Sequence, residues 1–357
     1  MYIALYDENQ QHLTNIDNVS YDTTVRVYDN DSFNAEGVSN EDINNAKILV
    51  LNDDVGTYKY ACFANEIKPE NNKRTIKGLD FKTLWDTEIL IDYTAENSFD
   101  GKLSAIFNKV KSLVFDSADA LVNKIPVRVV IPNDETDTTE MYGSYQGTYQ
   151  ITNAYKFLKC YLKYYEYNIE SYYDVVVGEI VFTFVKCQTS LDIDLNDFIY
   201  ELTTTSTTTN KAVATIKFEP NESVTERPNT IATIYYYRDK NNNIIQGDKY
   251  GNFENRLYPV QQKLFEAEYL ADSQFEAVYE LANARYVDNI VIDNNLTIDP
   301  IDFADYPLYT KVRLYYEGQL YKTLPISEKI TTFDGGGLNT KIKLGFKKIL
   351  LTEIIKN

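Results

Sequence analysis

Histidine occurs once in the 357 residues, at His12. With no second imidazole, a Ser-His-Asp or Cys-His mechanism would have to use His12 itself. It falls in a polar turn after the first expected strand, in no nucleophile-like context. The three cysteines, Cys62, Cys160 and Cys187, are odd in number and widely spaced, with no C-x-x-C. They support neither a disulfide framework nor a zinc site, and the chain reads as one made in a reducing cytoplasm. Zinc hydrolysis of cell-wall peptides would need several His or Cys ligands, which the sequence does not supply. Neither a G-x-x-x-x-G-K-[ST] loop nor a strand-linked G-x-G-x-x-G is present, and Gly335-Gly336-Gly337 reads as a hairpin loop. No apolar run approaches the roughly 20 residues of a membrane helix, so no membrane partner is expected. Met1 to Asp7 turns polar at once without a basic start, so the expectation is export by lysis or within a particle, not by a signal peptide.

Positive charge is also scarce. Lys and Arg number 35 against 53 Asp and Glu, a formal net charge of −18. That balance argues against a general binder of nucleic acid or anionic membranes, and no sequence-specific nucleic-acid contact is expected. The C-terminus departs from it, with five lysines from Lys341 onward against Glu353, which we read as a solvated face. Among so many acids a glycosidase pair is conceivable by count, yet no two stand in a recognisable context. Asp29-Asn30-Asp31 and Asp192-Ile193-Asp194 lack the spaced loop with glycine at its sixth position that calcium sites use, and read as solvated turns. No catalytic, cofactor-binding or metal-binding residue is nominated, and no enzyme activity or cofactor is expected.

What the chain has in excess is tyrosine, 31 residues against one tryptophan. AT-rich codon usage explains this composition, and so does a stacking surface for sugars or a partner protein; the sequence alone does not separate them. The length suits two or three domains with real cores, and 44% hydrophobic content is that of a globular protein.

Along the chain, short runs predict strands at Tyr2 to Tyr6, Thr23 to Tyr28 (which alternates), Tyr58 to Phe63 and Arg74 to Gly78, with a buried strand in the near-continuous apolar run Ala46 to Leu51. A short helix from Lys77 leads into a strand at Ile89 to Tyr93. Residues 96–200 alternate: helices at Ser98 to Leu113 and Asn153 to Glu166, strands at Pro126 to Ile131 and Glu179 to Cys187. The Thr203 to Thr209 run is a flexible loop or an exposed edge strand. Strands follow at Lys211 to Phe218 and Ile231 to Tyr237. A helix with a Ser273/Glu276 capping box ends at Arg285 and Tyr286, before a strand at Asn289 to Asp293. Val312, Leu314 and Tyr316 alternate with polar residues up to a Glu317-Gly318 turn, and a last strand runs from Thr340 to Phe346.

The closing segment, through Leu308, Val312, Leu314, Tyr316, Gly318, Tyr321 and Ile326, resembles that of the short tail-associated (Tal-like) protein of long-tailed phages. That family is the tail-tip hub related to the contractile-tail baseplate hub. Ile76, Gly78, Asp80, Phe81 and Leu84 match the end of its first barrel, with Glu88 near the place usually held by arginine. Tyr235 to Ile245 fits its tyrosine-rich hairpin, with asparagine for glycine. The resemblance covers nearly the whole chain through element order and points to a phage of a low-GC Gram-positive host.

It implies a mostly β (α+β) fold with two tail-tube-like β-barrel domains and a peripheral α/β insertion. The first barrel would span 1–95, the insertion 96–200, and the second barrel 201–357 with a packed helix at 272–286. It further implies a virion structural protein of the tail tip, a homotrimer whose six barrels close the tail tube and open for genome ejection. Its partners would be the distal tail ring, a receptor-binding protein or tip fibre, and the tape-measure protein. The chain would be the short form, with no lysin of its own. A different reading is a virion-borne carbohydrate-binding module for host-wall polysaccharide.

Overall fold

The structure is a computed structural model that describes residues 1–39, 43, 45–70, 73–92, 101–116, 125–138, 149–186, 189–205, 209–220, 223, 225–226, 231–238, 244–247, 262–282, 287–293, 303–335 and 337–345. Six strands come first: β1 (Tyr2–Tyr6), β2 (His12–Arg26), β3 (Ser32–Val38), β4 (Ile48–Asn52), β5 (Tyr58–Glu70) and β6 (Lys73–Leu79). They pair antiparallel in the order β1-β4-β5-β6-β3-β2, and β2 returns to β1, closing a six-stranded barrel. Alternation decides what fills it. Ile3, Leu5, Ile16, Tyr21, Phe33, Leu49, Leu51, Cys62 and Ile76 point inward as one cluster. The intervening Ala4, Ile48, Val50 and Ala61 point outward into a second, larger cluster. Both faces of β4 are therefore buried, which is why Ile48 to Leu51 is apolar without a break and Ala46 to Leu51 nearly so.

After β6 the chain makes a 3-10 turn at Phe81–Trp85, shorter than the helix expected from Lys77, because Lys77 to Leu79 still belong to β6. The strand β7 (Glu88–Asp92) leaves the barrel and pairs with β9 (Tyr149–Asn153). Between and after them lie α1 (Leu103–Phe115), β8 (Val127–Val130), α2 (Ala154–Tyr165), β10 (Tyr167–Asp174) and β11 (Glu179–Lys186). In α2 the Asn153 side chain accepts from Lys156 N at the start and Glu166 closes the end in a left-handed conformation, as the sequence bounds predict. The sheet β10-β11-β8 and both helices bury Phe107, Leu158, Phe182 and Phe184 around Trp85. This α/β layer covers the outer face of the barrel.

The strand β12 (Ser190–Asp194) precedes β13 (Ile199–Thr205), whose end is the first part of the threonine run. A separate four-stranded sheet follows, from β14 (Lys211–Ile216), β15 (Thr233–Arg238), β16 (Ile244–Gly247) and β17 (Gln262–Ala267) in the order β16-β15-β14-β17. Helix α3 (Leu270–Ala282) packs on that sheet and against α2, through Ala277 and Leu281. Ser273 is not its cap. Buried Tyr269 and Leu270 start the helix earlier, and the Ser273 hydroxyl donates to the Leu270 carbonyl from inside the first turn. The expected end at Arg285 and Tyr286 lies outside the described residues.

The remaining strands are β18 (Val287–Asp293), β19 (Lys311–Tyr316), β20 (Gln319–Phe333) and β21 (Leu338–Leu344). Glu317 and Gly318, at φ 50° and 75°, make the left-handed turn between β19 and β20 that their sequence suggests. The Asp334 to Gly337 loop joins β20 to β21. A second six-stranded unit runs β12-β19-β20-β21-β18-β13, with β12 parallel to β19 and the other neighbours antiparallel. Its inward residues include Ile193, Ile290, Ile292, Val312, Leu314, Leu324, Ile326, Ile342 and Leu344. The two units are fused through the ladder of β2 with β20, from Tyr21↔Phe333 to Arg26↔Glu328.

Candidate functional site

The β2–β20 seam is where the first barrel, the α/β layer and the second unit meet. Past the last paired residues the Val27 amide still donates to the Ser327 carbonyl at 3.0 Å. Arg26 pairs with Glu328 across the seam at 3.5 Å, and Lys343 of β21 stands 4.0 Å from the same carboxylate. These partners are half-exposed, so their net worth is small and salt-dependent.

Tyr28 touches all three parts. Its backbone belongs to the β2–β3 turn of the barrel, and its ring meets Tyr309 of the second unit edge-on at 5.8 Å. Its hydroxyl donates to the Leu162 carbonyl in α2 at 3.1 Å. Both tyrosines sit in left-handed backbone, at φ 61° and 72°, a conformation bulky side chains rarely adopt. Such strain persists only where surrounding contacts over-determine it. Burial first, then the neighbouring Tyr309, pushes the Tyr28 hydroxyl far above its ordinary range, so it is a fixed donor.

Beside it the same turn is pinned from below. Lys82 Nζ lies 2.7 Å from Asp31 Oδ1 and 3.3 Å from Asp80 Oδ2, and donates to the Asp29 and Arg26 carbonyls at 2.9 and 3.3 Å. Asp31 Oδ1 accepts from the Arg26 amide, and Asp80 Oδ2 from the Asp31 amide. All three charged side chains are at most 5% exposed. Burial pushes the Asp31 carboxyl up to about 6, with Asp80 adding to the shift and Lys82 opposing it. Burial would lower the Lys82 ammonium, but the two carboxylates more than offset this and hold it above its ordinary range. One cation between two anions, fully hydrogen-bonded, locks a turn in place; it has neither a nucleophile nor an open face.

The residues weighed in the sequence are dispersed. His12 opens β2 instead of lying in the turn, exposed, 2.8 Å from Asn15 Oδ1 and edge-on to Tyr6. Asp31 is buried in the ion cluster, so Asp29-Asn30-Asp31 is not a solvated turn. Asp192 is a surface residue paired with Arg313 at 2.5 and 3.1 Å, and Asp194 caps a 3-10 turn at Leu195–Asp197. Cys62 is sealed in the barrel, and burial pushes its thiol well up. Tyr21, Tyr155, Tyr161, Tyr167 and Tyr236 are core residues, whereas Tyr58, Tyr172, Tyr200, Tyr316 and Tyr321 are exposed on five different strands. Thr203 to Thr205 take the edge-strand alternative, paired only with β18. Among the described residues no three His, Cys, Asp or Glu side chains gather into a metal site. The ion cluster was not anticipated, although Asp80 stood in a quoted motif two residues before Lys82.

The fold is therefore that of a mostly β protein in which a closed six-stranded barrel is fused edge to edge with a second β unit. No protein-family model and no curated protein matches the chain. Three solved structures of similar fold are tail proteins. A 43 kDa prophage tail protein of Shewanella oneidensis is similar at a TM-score of 0.51 and 14% identity, over 96% of this chain and 97% of that one. Prophage tail protein gp18 of Listeria monocytogenes gives 0.53 and 10%, over 100% and 98%. A tail protein of Neisseria meningitidis gives 0.50 and 9%, over 99% and 98%.

Proposed function

We propose that this chain is a structural hub protein of a phage tail tip, acting mechanically and not as an enzyme. One observation carries the reading. A single chain holds two β units side by side, joined by the β2–β20 ladder and by the edge-on contact of Tyr28 with Tyr309. Three such pairs arranged about an axis give six β units in a ring, so a threefold tip would match a sixfold tube. The end-to-end likeness to three tail proteins supports the same reading.

In this reading the units are a first barrel over 1–95, a peripheral α/β insertion over 96–200 and a second barrel over 201–357, with β12 joining the last from before its boundary. The ring sits in the virion, closes the tail tube and opens for genome delivery. It contacts the distal tail ring, a receptor-binding protein or tip fibre, and the tape-measure protein. A carbohydrate-binding module, the other function considered, would gather its tyrosines in one cleft and bind wall polysaccharide saturably; among the described residues, exposed tyrosines lie both on the β19–β20 hairpin and on β5, β10 and β13.

The test is the mass of the purified chain by light scattering coupled to size exclusion, with electron microscopy of the peak. Three chain masses and particles with threefold symmetry and a central channel are expected. A monomer at high concentration that forms no ring with purified distal tail protein rules the hub out.

A further inference from the structure

The tip of the β10–β11 hairpin is three consecutive valines. Val175, Val176 and Val177 are 49%, 91% and 65% exposed. Valine is a poor turn former, because its branched β-carbon stiffens the side chain and favours extended backbone. An exposed run of three is also a solubility liability. Here the turn is nonetheless firmly built. Asp174 Oδ1 accepts from the Val176 and Val177 amides at 3.0 and 3.2 Å, and the Gly178 amide donates to the Asp174 carbonyl at 2.7 Å. Gly178 rests on Gln10 of the β1–β2 turn, and below it Tyr173 meets Tyr6 at 5.6 Å. The hairpin is thereby braced against the end of the first barrel, and the three apolar side chains are presented in a preorganised shape.

The charge around the tip selects its occupant. Asp174 and Glu179 flank the valines and share Arg128, Glu179 as a direct ion pair and Asp174 at 3.8 Å. Asp7 and Glu8 lie in the braced turn next to Gln10. Four carboxylates against the Arg128 guanidinium and the ammonium of Lys47, whose amide bonds the Tyr6 carbonyl, leave a net acidic rim about an apolar knob. A second copy of a chain carrying net charge −18 would be repelled there, as would an anionic membrane.

We infer that the Val175–Val177 tip is a docking knob for a partner protein that offers an apolar socket rimmed by lysine or arginine. Apolar burial supplies the affinity and the acidic rim supplies orientation and rate. The inference does not require the ring proposed above, so either can fail alone.

The test uses the full chain as bait for a random peptide library, with counter-selection on the variant Val175→Ser/Val176→Ser/Val177→Ser. Its thermal transition should match the parent, since the turn bonds come from Asp174 and the backbone. Enriched peptides that combine apolar side chains with Lys or Arg are expected. They should bind the variant at least tenfold more weakly, lose affinity with salt, and bind normally to Val55→Ser, a change at another exposed turn valine. Peptides that bind the variant equally, or that lack basic residues, overturn the inference. So does valine-dependent dimerisation of the chain, which would make a second copy the occupant, or valine-dependent flotation with phosphatidylcholine vesicles, which would make it lipid.

Discussion

Gly78 lies against Cys62 so closely that a β-carbon at position 78 would stand 2.1 Å from the Cys62 sulfur, and 3.2 Å from Phe33 Cβ. Neither neighbour can yield easily, because both are buried inside the closed barrel. Gly78→Ala should therefore cost about 1–3 kcal/mol through overpacking, read as a shift of the urea midpoint. Cys62→Ala makes room for the same methyl group. The double variant should be less destabilised than the sum of the singles by at least about 0.5 kcal/mol. Additive effects would mean the two positions do not touch.

Lys82 is the cation that two buried carboxylates share. Lys82→Met keeps the length of the side chain and removes its charge, leaving Asp31 and Asp80 buried without a counter-ion. The expected loss is about 3–5 kcal/mol, the size seen when one member of a buried pair is deleted. Adding Asp31→Asn should recover part of it, because one of the two stranded charges goes. If Lys82→Met alone fails to fold, recovery of soluble, cooperatively melting protein in the double variant still reads the coupling.

The seam and its ion cluster differ in how far they can be read from the residues. Barrel strands show in the alternation of Thr23 to Tyr28 and in the doubly buried run Ile48 to Leu51, since burial on one face or on both writes itself directly into side-chain polarity. Asn153 and Glu166 delimit α2 because caps are local. Pairings between distant segments leave no such trace. Nothing in β2 announces β20 as its neighbour 300 residues on, and the parallel pairing of β12 with β19 spans a whole intervening sheet. Asp31 misled for the same reason. It looks like an ordinary surface residue until the fold brings Lys82, 51 positions away, to 2.7 Å. Ser273 failed differently, because tertiary burial of Tyr269 and Leu270 outweighs a local capping signal.

Asp31 also sets a pH dependence of unusual sign. Its folded value of about 6 lies above the unfolded 3.8, so the fold favours the protonated form. That contribution is fully present below about pH 4 and is lost as pH rises through 6. Lys82 stays charged throughout, its own value being raised. The wild type should thus gain on Asp31→Asn as pH falls from 8 to 4.5, by about 2 kcal/mol for a shift of this size. Urea denaturation of both proteins at the two pH values measures it. A wild type that loses ground in acid would show that Lys82 outweighs burial.

Tyr28 carries the last prediction, because it alone reaches the barrel, the second unit and α2. Tyr28→Phe keeps the ring against Tyr309 and removes the hydroxyl, with its bonds to the Leu162 carbonyl and to the Tyr309 side chain. That carbonyl also accepts from the Glu166 amide at the helix end, so no acceptor is orphaned. The global cost should be about 1–3 kcal/mol, the net worth of two neutral hydrogen bonds. The local effect should be larger than the global one. Hydrogen exchange in the last turn of α2 should quicken while the strands β1 to β6 keep their protection, since their ladders do not involve these bonds. Equal quickening in both places would mean that the barrel and the α/β layer open as one cooperative unit, and that the joint is continuous core instead of a discrete clamp.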